Sequence, residues 1–260
     1  MLSTNPFAEL SAFISPSVMQ TYIVVMIVLV AVGTIYDILH KKSARYFREN
    51  MQKSKAAGTK VGGGEMVSIA VKTAVIDVAT SGEFCNQQRR IAHLLTMYGF
   101  ILFAVTTAIM VFRYATPGAA TPAILPQLWW LGAAMVCIGG YWFWFFIRVD
   151  VLAEGGSPFR IMRADLFVLS LLGSATFALI WAYLQARGHA WTMIAFWLHV
   201  IFTTLLFAGV PWSKFAHMFF KPAAAFEKRL SVANGTRSNL PPPADKPEEL
   251  GKVTFQPRNY

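Results

Sequence analysis

Apolar residues in this chain do not alternate with polar ones. They gather in runs, and the charged residues stand between the runs. Five runs have the length of a membrane-spanning helix, around 20 residues: 18–39, 91–112, 128–147, 166–184 and 192–210. The last carries on through Pro211 toward Phe220. The pattern predicts an all-α integral membrane bundle of five transmembrane helices within residues 18–222. An outer segment, 1–17, precedes it, and a cytoplasmic tail, 223–260, follows.

Composition supports a lipid solvent. Of 260 residues, 55% are hydrophobic and 14% charged, whereas a soluble domain carries about 25% charged residues. Basic residues mark the cytoplasmic side of a membrane protein, and here they alternate. The first 39 residues contain no Lys or Arg, and the 40–90 connection contains ten. The 113–127 and 185–191 loops contain one each, and the region from Lys214 contains eight. The N-terminus is therefore expected outside and the C-terminus in the cytoplasm, in an inner (cytoplasmic) membrane crossed several times. Trp129, Trp130 and Trp191 fall at the expected outer boundary, where an aromatic belt belongs. The formal charge of +10 reads as topology and attraction to anionic lipid headgroups rather than nucleic-acid binding.

The 40–90 connection is too long for a simple turn. A Gly-rich segment, GTKVGGGE, separates a basic helical stretch (41–55) from EMVSIAVKTAVIDVATS. In the latter Met66, Ile69, Ala70, Thr73, Ile76 and Asp77 fall at helical spacing, as in an interfacial amphipathic helix. The Pro-rich, charged end of the tail has no core-forming period, so it is either disordered or ordered by a cytoplasmic partner. Cys85 and Cys137 lie in different environments and form no metal motif.

Ionisable residues at membrane depth are costly and usually functional. His199 and His217 are 18 residues apart. On one continuous helix that is five turns, which puts both on one face about 27 Å apart. His93 stands at the start of the second span. One such histidine alone is commonly a hydrogen-bond donor to a neighbouring helix; two in phase, with a third nearby, point to function. A haem b iron takes axial imidazoles from two helices. The second and fifth spans run antiparallel, so depth pairs His93 with His217 and leaves His199 in the outer half. Lys214, Arg89, Arg90 and Lys221 are cations able to neutralise propionates. For His199 the residues at suitable depth on the second span are Phe103, Thr107 and Met110.

The segments LHVIFTTLLFAGVPWSKFAHMFFKP, RRIAHLLTMYGF and RADLFVLSLLG resemble the haem b membrane subunits of the respiratory nitrate reductase gamma type. Relatives of that family serve heterodisulfide reductase and sulfur-metabolism complexes. The resemblance covers about residues 22–222 and implies the His93–His217 pair. It also implies an outer haem held by the counterpart of His199 and by a second-span histidine ten residues after His93. That position is Phe103 here, which favours one haem b per chain, with two as the alternative. The family role is to pass electrons between quinone in the bilayer and cytoplasmic iron–sulfur or flavin redox subunits. A short anchor of this kind most resembles the membrane subunit accompanying adenylylsulfate reductase. The rival readings are a haem-free membrane anchor for a cytoplasmic enzyme and a small transporter.

Overall fold

The computed structural model describes residues 2–40, 58–82, 84, 86–116, 118–148, 161, 165–211 and 217–236, with single positions at 49, 52 and 56. Among these, every regular element is a helix. In chain order they are α1 (Pro6–Leu10), α2 (Pro16–His40), α3 (Gly63–Lys72, continued with π geometry over Thr73–Ala79), α4 (Gln87–Arg113), α5 (Ile124–Trp142, continued with π geometry to Ile147), α6 (Leu166–Ala186), α7 (Thr192–Ala208) and α8 (His217–Ala233). The basic stretch 41–55, Cys85 and Lys214 lie outside the described residues or, within 41–55, at isolated positions only.

Four helices, α2, α4, α5 with its continuation, and α6, are long and apolar enough to cross a membrane. Their starts follow local chemistry. The Asn86 side chain accepts from the amides of Gln88 and Arg89, at 2.9 and 3.2 Å, capping α4. Asn5 caps α1 in the same way, with Pro6 at the first helical position.

The fifth run forms α7, a shorter apolar helix of 17 residues. It does not continue to His217. The helix stops at Ala208, Gly209 follows, and α8 begins at His217 as a separate helix. Pro211 explains the stop: it has no amide to donate, and it disfavours helical geometry at Val210. The single-face alignment of His199 and His217 therefore does not hold. The boundary expected at residue 222 also falls inside a helix, because α8 runs to Ala233.

Depth of packing separates α2 from the other spans. In the most apolar stretch of α2 only 17% of residues are buried, against 44% in α6. Its buried residues, Met19, Met26, Gly33 and Asp37, form one stripe at spacings of seven and four, the period of a helix face. The opposite side, including Val24, Val28 and Val32, is exposed, as lipid-facing residues are. Asp37 is buried within an apolar helix.

Helices α4 and α5 meet closely at glycines. A methyl on Gly132 would stand 2.6 Å from the Phe103 amide nitrogen, and one on Gly99 would stand 2.7 Å from Met135 Cβ. Small residues at such contacts let two backbones approach. Gly132→Ala should therefore force α4 and α5 apart, costing about 1–3 kcal/mol as overpacking does. A thermal-stability assay in detergent should show a midpoint several degrees lower. Gly118→Ala, where nothing lies within 4 Å, should leave the midpoint unchanged.

One end of the bundle is closed by α1. Phe7 and Leu10 are buried, and the Phe7 ring meets Trp129 at 6.1 Å and Trp181 at 5.4 Å, edge to face. Asn5 Nδ2 donates to the Tyr114 carbonyl at 2.8 Å, and Gln185 Nε2 donates to the Pro6 carbonyl at 2.8 Å. Trp129 is thus not a belt residue. It is fully buried, and its Nε1 donates to Thr107 Oγ1 at 2.9 Å. Trp191 is exposed.

At the opposite end, Arg148 and Asp165 form a buried, two-pronged ion pair across the connection from α5 to α6. The Arg148 guanidinium also lies 4.1 Å above the Trp144 ring. Asp77 accepts two bonds from Arg229, at 2.6 and 3.0 Å, tying the end of α3 to α8.

Candidate functional site

His199 lies in the middle of α7, facing inward, and is buried. Its Nδ1 is 2.9 Å from the Ser174 carbonyl oxygen on α6. A carbonyl only accepts, so Nδ1 carries the proton and Nε2 the lone pair. Ser174 Oγ and Thr203 Oγ1 each stand 3.4 Å from the same nitrogen and 2.7 Å from each other. The ring stacks on Trp181 with centroids 6.1 Å apart and planes 10° from parallel. Phe103 meets it edge-on at 6.3 Å. The imidazole is therefore held in one tautomer and one orientation by three helices.

That ring lines a cleft of about 790 Å³ between α2 and the face formed by α4, α6 and α7. The volume suits a cofactor or drug-sized ligand. Along α2 the cleft runs from Val18 to Ile35, a rise of about 26 Å. Polar wall groups are few: Tyr22, Thr34, Thr107, Ser174, Thr203 and His199. Tyr22 OH bridges to Thr204 Oγ1 at 2.9 Å and to the Val200 carbonyl at 3.2 Å. Several wall residues, among them Ile27, Ile35, Val105 and Trp197, are exposed at the lipid-facing rim. The cleft thus opens sideways, toward the bilayer, while Phe7 and Leu10 of α1 close one end of it.

The other expected site residues are placed differently. His93, half-buried near the start of α4, has Nδ1 3.0 Å from Ser81 Oγ and its ring 5.0 Å from Phe84. Ser81 sits in the left-handed backbone region at φ 50°, in a turn that α4 holds through two further bonds. Arg90 Nε donates to the Thr80 carbonyl at 2.7 Å, and Tyr98 OH donates to the Ala79 carbonyl at 2.6 Å. His93 precedes Phe103 by ten residues, about 15 Å along the helix axis. His93 and His199 therefore cannot share one iron. Only the backbone of His217 is described, at the first position of α8. The neighbouring residue, Met218, lines the cleft. Arg89 is half-buried on the first turn of α4.

Of the candidates opposite His199, Phe103 and Thr107 line the cleft. Met110 does not; it is wholly buried in the hydrophobic core. The methionines on the cleft wall are Met19, Met26 and Met218. Among the described residues no three His, Cys, Asp or Glu side chains gather as a metal site.

Compared with known protein families, characterised proteins and solved structures, the chain matches none. Architecture and site define the class instead. This is a multi-pass, all-helical membrane protein with a bilayer-facing cleft at a buried, orientated histidine.

Proposed function

We propose that the chain is a haem b membrane subunit. It relays electrons between quinone in the bilayer and a cytoplasmic iron–sulfur or flavin enzyme, with adenylylsulfate reductase the narrower candidate. The observation that carries this reading is His199: a buried imidazole with Nδ1–H tied to a backbone carbonyl, lining an apolar cleft open to lipid. A lipophilic quinol suits such a cleft, whose wall is almost wholly apolar and whose rim faces lipid.

In this reading α7 is the fifth span. Its 17 residues rise about 25 Å. The N-terminus is outside and the C-terminus in the cytoplasm, in the inner membrane. His93 and His217 are the axial ligands of one haem b, with Lys214, Arg89, Arg90 and Lys221 as propionate partners. Bound there, haem supplies one-electron transfer at a depth set by the helices. The Ser81 hydroxyl holds the His93 ring by Nδ1, the outer contact that orients a ligating imidazole.

At the outer site, Nε2 of His199 has the lone pair that accepts a quinol O–H and takes its proton. Phe103 stands where a second axial ligand would be needed, which favours quinol over haem. A second haem at His199 is the alternative, and the Nδ1–carbonyl bond favours it, since ligating histidines are commonly held this way.

A visible spectrum of dithionite-reduced, purified protein tests the reading. Sharp alpha and Soret bands of haem b are expected, and a featureless spectrum from folded protein would reject it in favour of a haem-free anchor or transporter. Orientation has its own test. An impermeant thiol reagent should label Cys85 in inverted vesicles and leave it unlabelled in intact cells, because its connection carries ten basic residues.

A further inference from the structure

The 63–79 helix has two apolar faces. Of the six positions whose spacing predicts an interfacial helix, Met66, Ile69, Thr73 and Asp77 lie on the side that includes buried Ile69 and Thr73, with Asp77 paired to Arg229 of α8, while Ala70 and Ile76 are exposed. A second stripe faces away from the protein. Val67, Val71, Val75 and Val78 are 64, 56, 53 and 36% exposed. Val67, Val71 and Val75 recur every fourth residue and Val78 follows three later, the spacing of one helix face.

We propose that this valine stripe is a lipid-docking face, seated at the headgroup–acyl boundary of the leaflet that meets the 41–90 connection. This face is continuous with that of the spanning helices, and its docking does not depend on haem. The C-terminal end of the helix is bonded to Tyr98 through the Ala79 carbonyl and to Arg90 through the Thr80 carbonyl. Tyr98 lies in the spanning part of α4 on its exposed face, with Ile91 and Val105 seven residues to either side and likewise exposed. The helix is thus fastened to a surface that itself faces acyl chains, and its valines extend that surface sideways.

Charge agrees with this placement. Lys60 and Lys72 flank the stripe, both exposed, where they meet anionic headgroups. Valines that penetrate the interface bury apolar area with no polar group to desolvate. The opposite face is already occupied by α8, which leaves the valine face as the one available to the bilayer.

The test is a fluorescence-quenching experiment on the full chain in vesicles of phosphatidylcholine with phosphatidylglycerol. Bimane is attached at Val71→Cys or, as the comparison, at Ser68→Cys, in a background carrying Cys85→Ser and Cys137→Ser. Val75→Cys provides a second stripe position should the first variant fold poorly. Doxyl-labelled phospholipid is expected to quench positions 71 and 75 at least twofold more than position 68, and aqueous iodide to show the reverse order. Iodide access at 71 and 75 equal to that at 68 would overturn the proposal. Shielding of 71 and 75 from both quenchers would overturn it too, since a protein surface would then cover the stripe.

Discussion

His93→Ala and His217→Ala are each expected to remove the haem b spectrum, taking the haem-to-protein ratio from about one to near zero. In the proposed site a low-spin, six-coordinate iron would need both imidazoles, one from each of two helices, so losing either ends that coordination and weakens the hold on the group. His93 also meets the Ser81 turn, and its removal therefore carries a structural cost. Ser81→Ala separates the two effects. It keeps the ligand and deletes only the hydroxyl that orients it, so haem should stay while its reduction potential shifts. A normal low-spin spectrum in either alanine variant would refute the pairing.

His199→Ala is expected to leave that haem in place and to lower quinol-driven reduction of it by about 10²–10⁴-fold, the size of a lost general base. The cause is the loss of Nε2, the one orientated lone pair on the cleft wall that can take a quinol proton. Haem content distinguishes this from the alternative. A ratio near two in the wild-type protein, falling to one in His199→Ala, would show that His199 ligates a second iron. Ser174→Ala and Thr203→Ala make a graded series. Both remove hydroxyls 3.4 Å from Nδ1 while keeping the 2.9 Å bond to the Ser174 carbonyl, so turnover should fall far less than in His199→Ala.

The helical bundle was legible from the runs of apolar residues because lipid demands helices that satisfy their own backbone groups. The period of α2 also held its inner stripe, Met19, Met26, Gly33 and Asp37. Where the sequence misled, a local signal was outweighed by a feature that spacing does not carry. Five turns separate His199 from His217 only if the helix is unbroken, and Pro211 breaks it. Trp129 lies at the right depth for a belt, yet the closure by Phe7 turns it into core. The helical spacing of Met66, Ile69 and Asp77 marks a contact with protein, while the valines that face outward sit at the same period one sector away. The chemistry of His199 needed its tautomer, and that is set by the Ser174 carbonyl on another helix.

The seal made by α1 also dictates an order of assembly. Its bonds join Asn5 to Tyr114 and Pro6 to Gln185, 109 and 179 residues apart in sequence. During synthesis α1 therefore gains its partners in steps, Tyr114 after the second span, Trp129 in the third, and Trp181 and Gln185 only when the fourth is complete. The closure by α1 is therefore complete only once the fourth span is in place, and the cleft cannot acquire this end wall before then. A bulky fusion immediately ahead of Asn5 should hinder this closing step more than the same fusion at the other end of the chain.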